Sequence, residues 1–165
     1  MKILDAFSGH LSTWFDKDFA RNNVIKNDIR NGEIDVLGFQ KINIETDFNY
    51  NMFQENLIID GGNFDLIYAD PPHLVELSEK SIMHIKYTSL KTYMITSLEI
   101  DIINMLNNLY NNLKYNGICI LKWNNTDIKI RQYIEEHTKF QLLFGSTTNK
   151  KTFTEYITMT KRKEE

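Results

Sequence analysis

Short apolar runs alternate with polar, turn-rich segments along the chain, and the period of the runs changes from one to the next. Lys2–Ala6 is apolar and ends in small residues, which predicts a strand running into a turn at Phe7, Ser8 and Gly9. Leu11–Phe19 has no clean period and reads as a helix start or irregular chain. Asn23–Asp28 and Lys41–Thr46 predict two more short strands, the second followed by Asp47, with "RNGEID" between them read as turn. Phe64–Ala69 predicts a strand announced by the pair Gly61 and Gly62. From Tyr93 to Leu113, the residues Met94, Leu98, Ile102, Met105, Leu109 and Leu113 recur at steps of three and four, the period of one buried helical face. The following "YNG" is a helix stop, and "ICILKW" is apolar throughout, as strands covered on both faces are. Ile128–His137 predicts a helix capped by Asn125 or Thr126, and "FQLLF" and "FTEYITMT" predict two last strands joined by "GSTTNKKT".

Strands alternating with helical or irregular crossovers imply a mostly parallel, open α/β sheet, and the last two strands imply an antiparallel hairpin at its edge. Such sheets bind ligands at the carboxyl ends of their strands, so the residues just after each strand are the ones to inspect.

Composition narrows the class. With 165 residues, 42% hydrophobic and 25% charged, the chain is expected to form a single domain over residues 1–165. No apolar run approaches membrane-spanning length, and the start of the chain lacks a secretory pattern, which predicts a cytoplasmic protein. Its one cysteine, Cys119, lies inside an apolar run and reads as a buried thiol, which argues against redox chemistry and metal clusters. A net charge of -3 argues against a globally basic nucleic-acid surface, although Lys150, Lys151, Lys161, Arg162 and Lys163 gather toward the carboxyl end.

The candidate chemistry is acidic. Asp5, Asp28, Asp47 and Asp70 each follow a predicted strand. One aspartate after a strand is usually a turn or helix cap, but four on the same edge of one sheet repel each other unless donors or cations lie among them. Hard cations would use such groups only if they converged on one point. A nucleoside-like cofactor uses them apart, for ribose hydroxyls, an exocyclic amine and an ammonium group. The "DAFSGH" turn has a single glycine and implies no pyrophosphate site.

The ordered set "ILDAFSG", "VIKND", "ETDF", "LIYADPPH" and "ICILKWN" resembles the motifs of class I S-adenosylmethionine-dependent methyltransferases from Lys2 to Asn124. With "TWFDKDF", "DPPHL", "LKWN" and "LLFGSTTNKKT" added, nearly the whole chain is similar to a group of small phage and prophage methyltransferases. The resemblance implies a Rossmann-like fold with helices on both faces and S-adenosylmethionine as cofactor. It places Asp5, Ala6, Phe7, Ser8 and Gly9 at the methionine part, Asp28 at the ribose, Asp47 and Phe48 at the adenine, and Asp70 beside the methyl group. Trp14 and Asp16 belong to the small group's own signature.

In related amino-methyltransferases of nucleic acid bases, an acidic or amide residue and two prolines follow the fourth strand. Asp70, Pro71, Pro72 and His73 stand there in this chain and form the candidate catalytic set. The carboxylate and the first proline's carbonyl would accept both hydrogens of an exocyclic amine, and the prolines would fix the backbone before substrate arrives. His73 replaces the usual phenyl or phenol ring; a histidine there stacks on a base, takes a proton or packs. Lys86, Tyr87, Trp123 and Asn124 are candidate substrate contacts. The expected reaction is methyl transfer to a base amine, with DNA favoured as partner and a homo-oligomer or a partner subunit supplying recognition. Methyl transfer to RNA, protein or a small molecule, and cofactor binding without turnover, are the alternatives.

Overall fold

The computed structural model describes residues 1–72, 74–76, 78, 81–147 and 153–162. The first strand, β1 (Ile3–Asp5), is followed by α1 (Lys17–Asn23) and by β2 (Val24–Lys26), which lies parallel to β1. Asp16 starts α1 as its cap, accepting from the Phe19 amide at 2.8 Å. A hairpin of β3 (Gly32–Val36) and β4 (Gln40–Ile44) comes next, and then β5 (Phe64–Ala69), parallel to β1 on the side away from β2. Helices α2 (Ile82–Tyr87), α3 (Leu90–Tyr93) and α4 (Leu98–Asn112) lead to β6 (Leu113–Asn124), parallel to β5. Helix α5 (Ile130–His137) precedes the antiparallel strands β7 (Gln141–Thr147) and β8 (Thr154–Thr160). The six-stranded sheet runs β2-β1-β5-β6-β8-β7, so its parallel part carries an antiparallel edge, as the chain pattern predicts.

Alternation along the strands divides the core between two faces. Leu4, Ile67, Leu121 and Met159 pack with Ile102 and Met105 of α4 and Ile130 and Ile134 of α5. Ile3, Val24 and, partly buried, Leu66 face Ala20 of α1 and Trp14 instead. Helices therefore cover both faces. Cys119 lies at the centre of the sheet, fully buried, level with Ile67 on β5 and Met159 on β8.

Three local expectations change. Lys41–Thr46 supplies β4, but β4 joins a separate two-stranded sheet with β3, drawn from the segment read as turn. The reversal is made by Leu37 and Gly38, both at positive φ (54° and 74°), and Val36, Ile42 and Ile44 bury the hairpin's inner side. Beyond the strand ends, Asn27 after β2 and Phe48 after β4 form an isolated parallel bridge. The long helix begins at Leu98 rather than Tyr93, because the Ser97 cap accepts from the Ile100 amide and Asp101 reaches back to the amides of Ile95 and Thr96. Helix α5 starts at Ile130 with Lys129 at the cap position, and the Asn125 side chain accepts from the Ile130 amide at 3.2 Å.

Two buried asparagines one turn apart on α4 organise the chain that enters β5. Asn108 accepts from the Leu57 amide and donates to the carbonyls of Met52 and Gln54; Asn112 accepts from the Ile59 amide and donates to Leu57. They satisfy backbone groups of residues 52–59, a stretch with no strand or helix of its own. Among the described residues no helix is long and apolar enough to cross a membrane.

Candidate functional site

The chain leaves β1 toward β2 and re-enters the sheet as β5 on the other side of β1, so the crossover direction reverses between β1 and β5. A cavity of about 460 Å³ opens at the carboxyl ends of these strands, a size suited to a small-molecule ligand. Phe7, Ser8 and Gly9 line it after β1, Asp28 and Arg30 after β2, and Asp70, Pro71 and Pro72 after β5. Lys122 of β6 closes one side, and Met83, Lys86 and Tyr87 of α2 form a rim.

The turn after β1 is held from within. Asp5, 1% exposed, accepts from the Trp14 indole at 2.7 Å and from the Phe7 amide at 3.3 Å. Burial pushes its carboxyl up to about 7, against the pull of those two donors and with Asp70 and Asp28 nearby adding to the rise. The Ser8 amide donates to the Asn27 carbonyl and the Gly9 amide to Asp28 Oδ2. The turn's amides are thus used internally. The Ser8 hydroxyl is not: it is buried beside the cavity and, among the described residues, has no hydrogen-bond partner. A buried, unsatisfied hydroxyl in a cavity wall is a ready contact for a polar ligand.

Asp28 is fully engaged. Its Oδ1 accepts from the Arg30 amide at 2.9 Å and from Arg30 Nε at 3.0 Å, and its Oδ2 from Gly9 N and Arg30 Nη2, each at 3.0 Å. Four donors fill the four lone-pair positions of a carboxylate. Arg30 Nη1 also donates to the Lys86 carbonyl at 2.7 Å, linking the turn after β2 to the cavity rim.

Asp70 is the carboxylate most open to the cavity. Lys122 Nζ donates to its Oδ2 at 2.6 Å, the two side chains being 25% and 19% exposed, and among the described residues its Oδ1 takes no hydrogen bond. The pair follows from register, because Ala69 lies opposite Leu121, which sets Asp70 beside Lys122. On the rim, Lys86 reaches Gln40 at 2.8 Å, and Tyr87 lies 6.3 Å from the His10 ring. Burial lowers the His10 pKa, and the charges of Lys17, Lys86 and Arg30 lower it further, which favours the neutral imidazole. Helix α2 ends on Thr88 at φ 61°, ψ -171°, a region that side chains other than glycine occupy only under strain.

The cavity therefore unites Phe7, Ser8, Gly9, Asp28, Asp70, Pro71, Pro72, Lys86 and Tyr87 from the expected set. Asp5 and Ala6 lie beneath the turn, both buried. Asp47 is turned to Lys26, accepting from its amide at 2.8 Å and its ammonium at 2.9 Å, and Phe48 stacks on Tyr50 at 5.6 Å; neither lines the cavity. Trp123 is core, with its indole donating to the Ile128 carbonyl at 3.0 Å, and Asn124 accepts from the Thr126 amide at 2.9 Å; neither lines the cavity. His73 lies outside the described residues, as do Lys150, Lys151 and Lys163. The sequence reading passed over Arg30, His10 and Lys122. Arg30 stands two residues from Asp28, within reach of an aspartate turn; Lys122 becomes visible only when β5 and β6 are set in register.

No family model matches the chain, and no curated protein matches its sequence. Solved structures do match. A TehB-like SAM-dependent methyltransferase from Corynebacterium glutamicum aligns with a TM-score of 0.58 at 13% identity, over 98% of this chain and 80% of that one. A SAM-dependent methyltransferase from Methanosarcina mazei aligns at 0.55 and 12% identity, over 99% and 93% of the two chains. A ribosomal protein L11 methylase from Lactobacillus delbrueckii subsp. bulgaricus aligns at 0.54 and 16%, over 98% and 70%. The architecture is thus an open, mostly parallel α/β sheet with its cavity at the reversal of strand order. More narrowly, it is the Rossmann-like fold found in these methyltransferases and this methylase.

Proposed function

We propose that the protein is a methyltransferase that uses S-adenosylmethionine and acts on an amino group of a nucleic acid base, DNA above all. One observation carries the reading: the turn at Phe7–Gly9 and the run Asp70-Pro71-Pro72 line the same cavity at the reversal point of a methyltransferase-like sheet.

The residues present fit the cofactor in kind. The Ser8 hydroxyl lacks a partner and would take a polar group of its methionine part, and Asp28 would take ribose hydroxyls by exchanging contacts with Arg30. Bound there, S-adenosylmethionine supplies an electrophilic methyl group. Asp70 Oδ1 and the Pro71 carbonyl are the acceptors that would hold an exocyclic amine by its two hydrogens and aim its lone pair. Both prolines withhold backbone donors and fix φ, so this geometry is set in advance. Tyr87, 42% exposed on the rim, offers a face for a base that has left its stack, and Lys86 lies next to it.

Calorimetry with S-adenosylmethionine should show one-site binding. Transfer of labelled methyl into separated DNA, RNA, protein and small-molecule pools should then mark DNA, with the label on a base nitrogen. Label in another pool would move the acceptor and keep the enzyme class. Cofactor binding with no transfer into any pool would favour the reading without turnover, and no binding would end the proposal.

A further inference from the structure

The geometry points to Lys122 as the residue that positions Asp70, holding one oxygen of its carboxylate so that the other faces the methyl acceptor; this rests on the methyltransferase reading above. Lys122 shares a strand face with Ile118 and Ile120, which are apolar and partly buried. A lysine continuing that pattern has no need to point at a carboxylate. It does so at 2.6 Å, with three-quarters or more of both side chains out of solvent.

Stability does not account for the pair. Drawing an ammonium and a carboxylate out of water costs about as much as their attraction returns, and an apolar pair of similar volume would serve as well. What the pair does supply is orientation. A lone carboxylate at a strand end rotates about χ2, whereas the Lys122 contact holds Oδ2 and leaves Oδ1 without a hydrogen bond among the described residues, at a cavity that Asp70 and Pro71 both line. The ammonium also offsets the repulsion between Asp70 and the neighbouring carboxyl of Asp5, which lies close enough for the two charges to act on each other. Lys122 thus acts through Asp70 and belongs to the acceptor side of the site.

The test is a double-mutant cycle on the full-length chain with Lys122→Met, Lys122→Arg, Asp70→Ala and Lys122→Met/Asp70→Ala. Three quantities are measured: S-adenosylmethionine affinity by calorimetry, kcat for labelled-methyl transfer into the accepting pool, and affinity of the S-adenosylhomocysteine-loaded protein for a mixed-sequence single-stranded oligonucleotide. Lys122→Met should bind the cofactor within about twofold of wild type and lose roughly tenfold or more in kcat. Its oligonucleotide affinity should also fall, and Lys122→Arg should restore most of both losses. In the Asp70→Ala background, Lys122→Met should add no more than about twofold, since the group it acts through is already gone. Urea denaturation of each variant separates a folding defect from a site defect. Wild-type kcat in a folded Lys122→Met protein would overturn the role of Lys122 alone, as would losses that multiply in the double variant. Absence of cofactor binding in the wild type would overturn the underlying reading instead.

Discussion

At the scale of single residues, the site is built from carboxylates in different states. Among the described residues Asp5 has no cation against it; its donors are an indole and a backbone amide, and burial raises its carboxyl from 3.8 to about 7. Between these two values the folded chain keeps a proton that the unfolded chain releases, so the Asp5 contribution falls as pH rises from about 4 to about 7 and is level above that, by at most about 1.4 kcal/mol per pH unit. Urea denaturation across that window should show this fall in the wild type, and Asp5→Asn should remove it. Asp28 is the opposite case, a carboxylate 1% exposed and gripped by Arg30. Arg30→Leu should destabilise the fold by about 3 kcal/mol because it strands a buried charge, and adding Asp28→Asn should recover part of that loss in the same assay. The positions of Asp70, Pro71 and Pro72 in the cavity were legible from their place after an apolar run. The partners of these carboxylates were not, because Lys122 and Arg30 resemble surface cations until neighbouring strand ends are brought together.

At the scale of elements, regular period made α4 and the central strands readable, and irregular backbone hid the rest. The β3–β4 hairpin turns on Leu37-Gly38, and a leucine at positive φ is not a residue from which a tight turn is inferred. The same holds for residues 52–59, whose order comes from the side chains of Asn108 and Asn112 on a distant helix rather than from local pairing. In a chain rich in asparagine, nothing local marks those two as structural. Asn108→Leu should cost about 2–4 kcal/mol in urea denaturation, since it leaves the Leu57 amide and the carbonyls of Met52 and Gln54 without partners. A surface asparagine such as Asn22, whose side chain bonds only within its own helix, should tolerate replacement by alanine with a change of about 0.5 kcal/mol or less.

For the molecule as a whole, one sheet does two jobs at different places. Its middle is the core, sealed by α4 and α5 on one face, and its carboxyl edge is the cavity. Strand alternation foretold this division, including the antiparallel edge, because parallel strands need crossovers and the last two apolar runs are joined too closely for one. The central thiol gives the arrangement a practical use. Cys119 is fully buried, and burial holds its proton on well above the usual thiol range. A thiol reagent should therefore modify the native chain only when the sheet opens, and the rate of modification becomes a clock for that opening. Any small molecule that fills the cavity and binds only the closed form should slow the clock, by about a hundredfold at a concentration a hundred times its dissociation constant. Mass spectrometry of a single alkylation event could thus rank cofactors, nucleotides and oligonucleotides as ligands before a single methylated product has been identified.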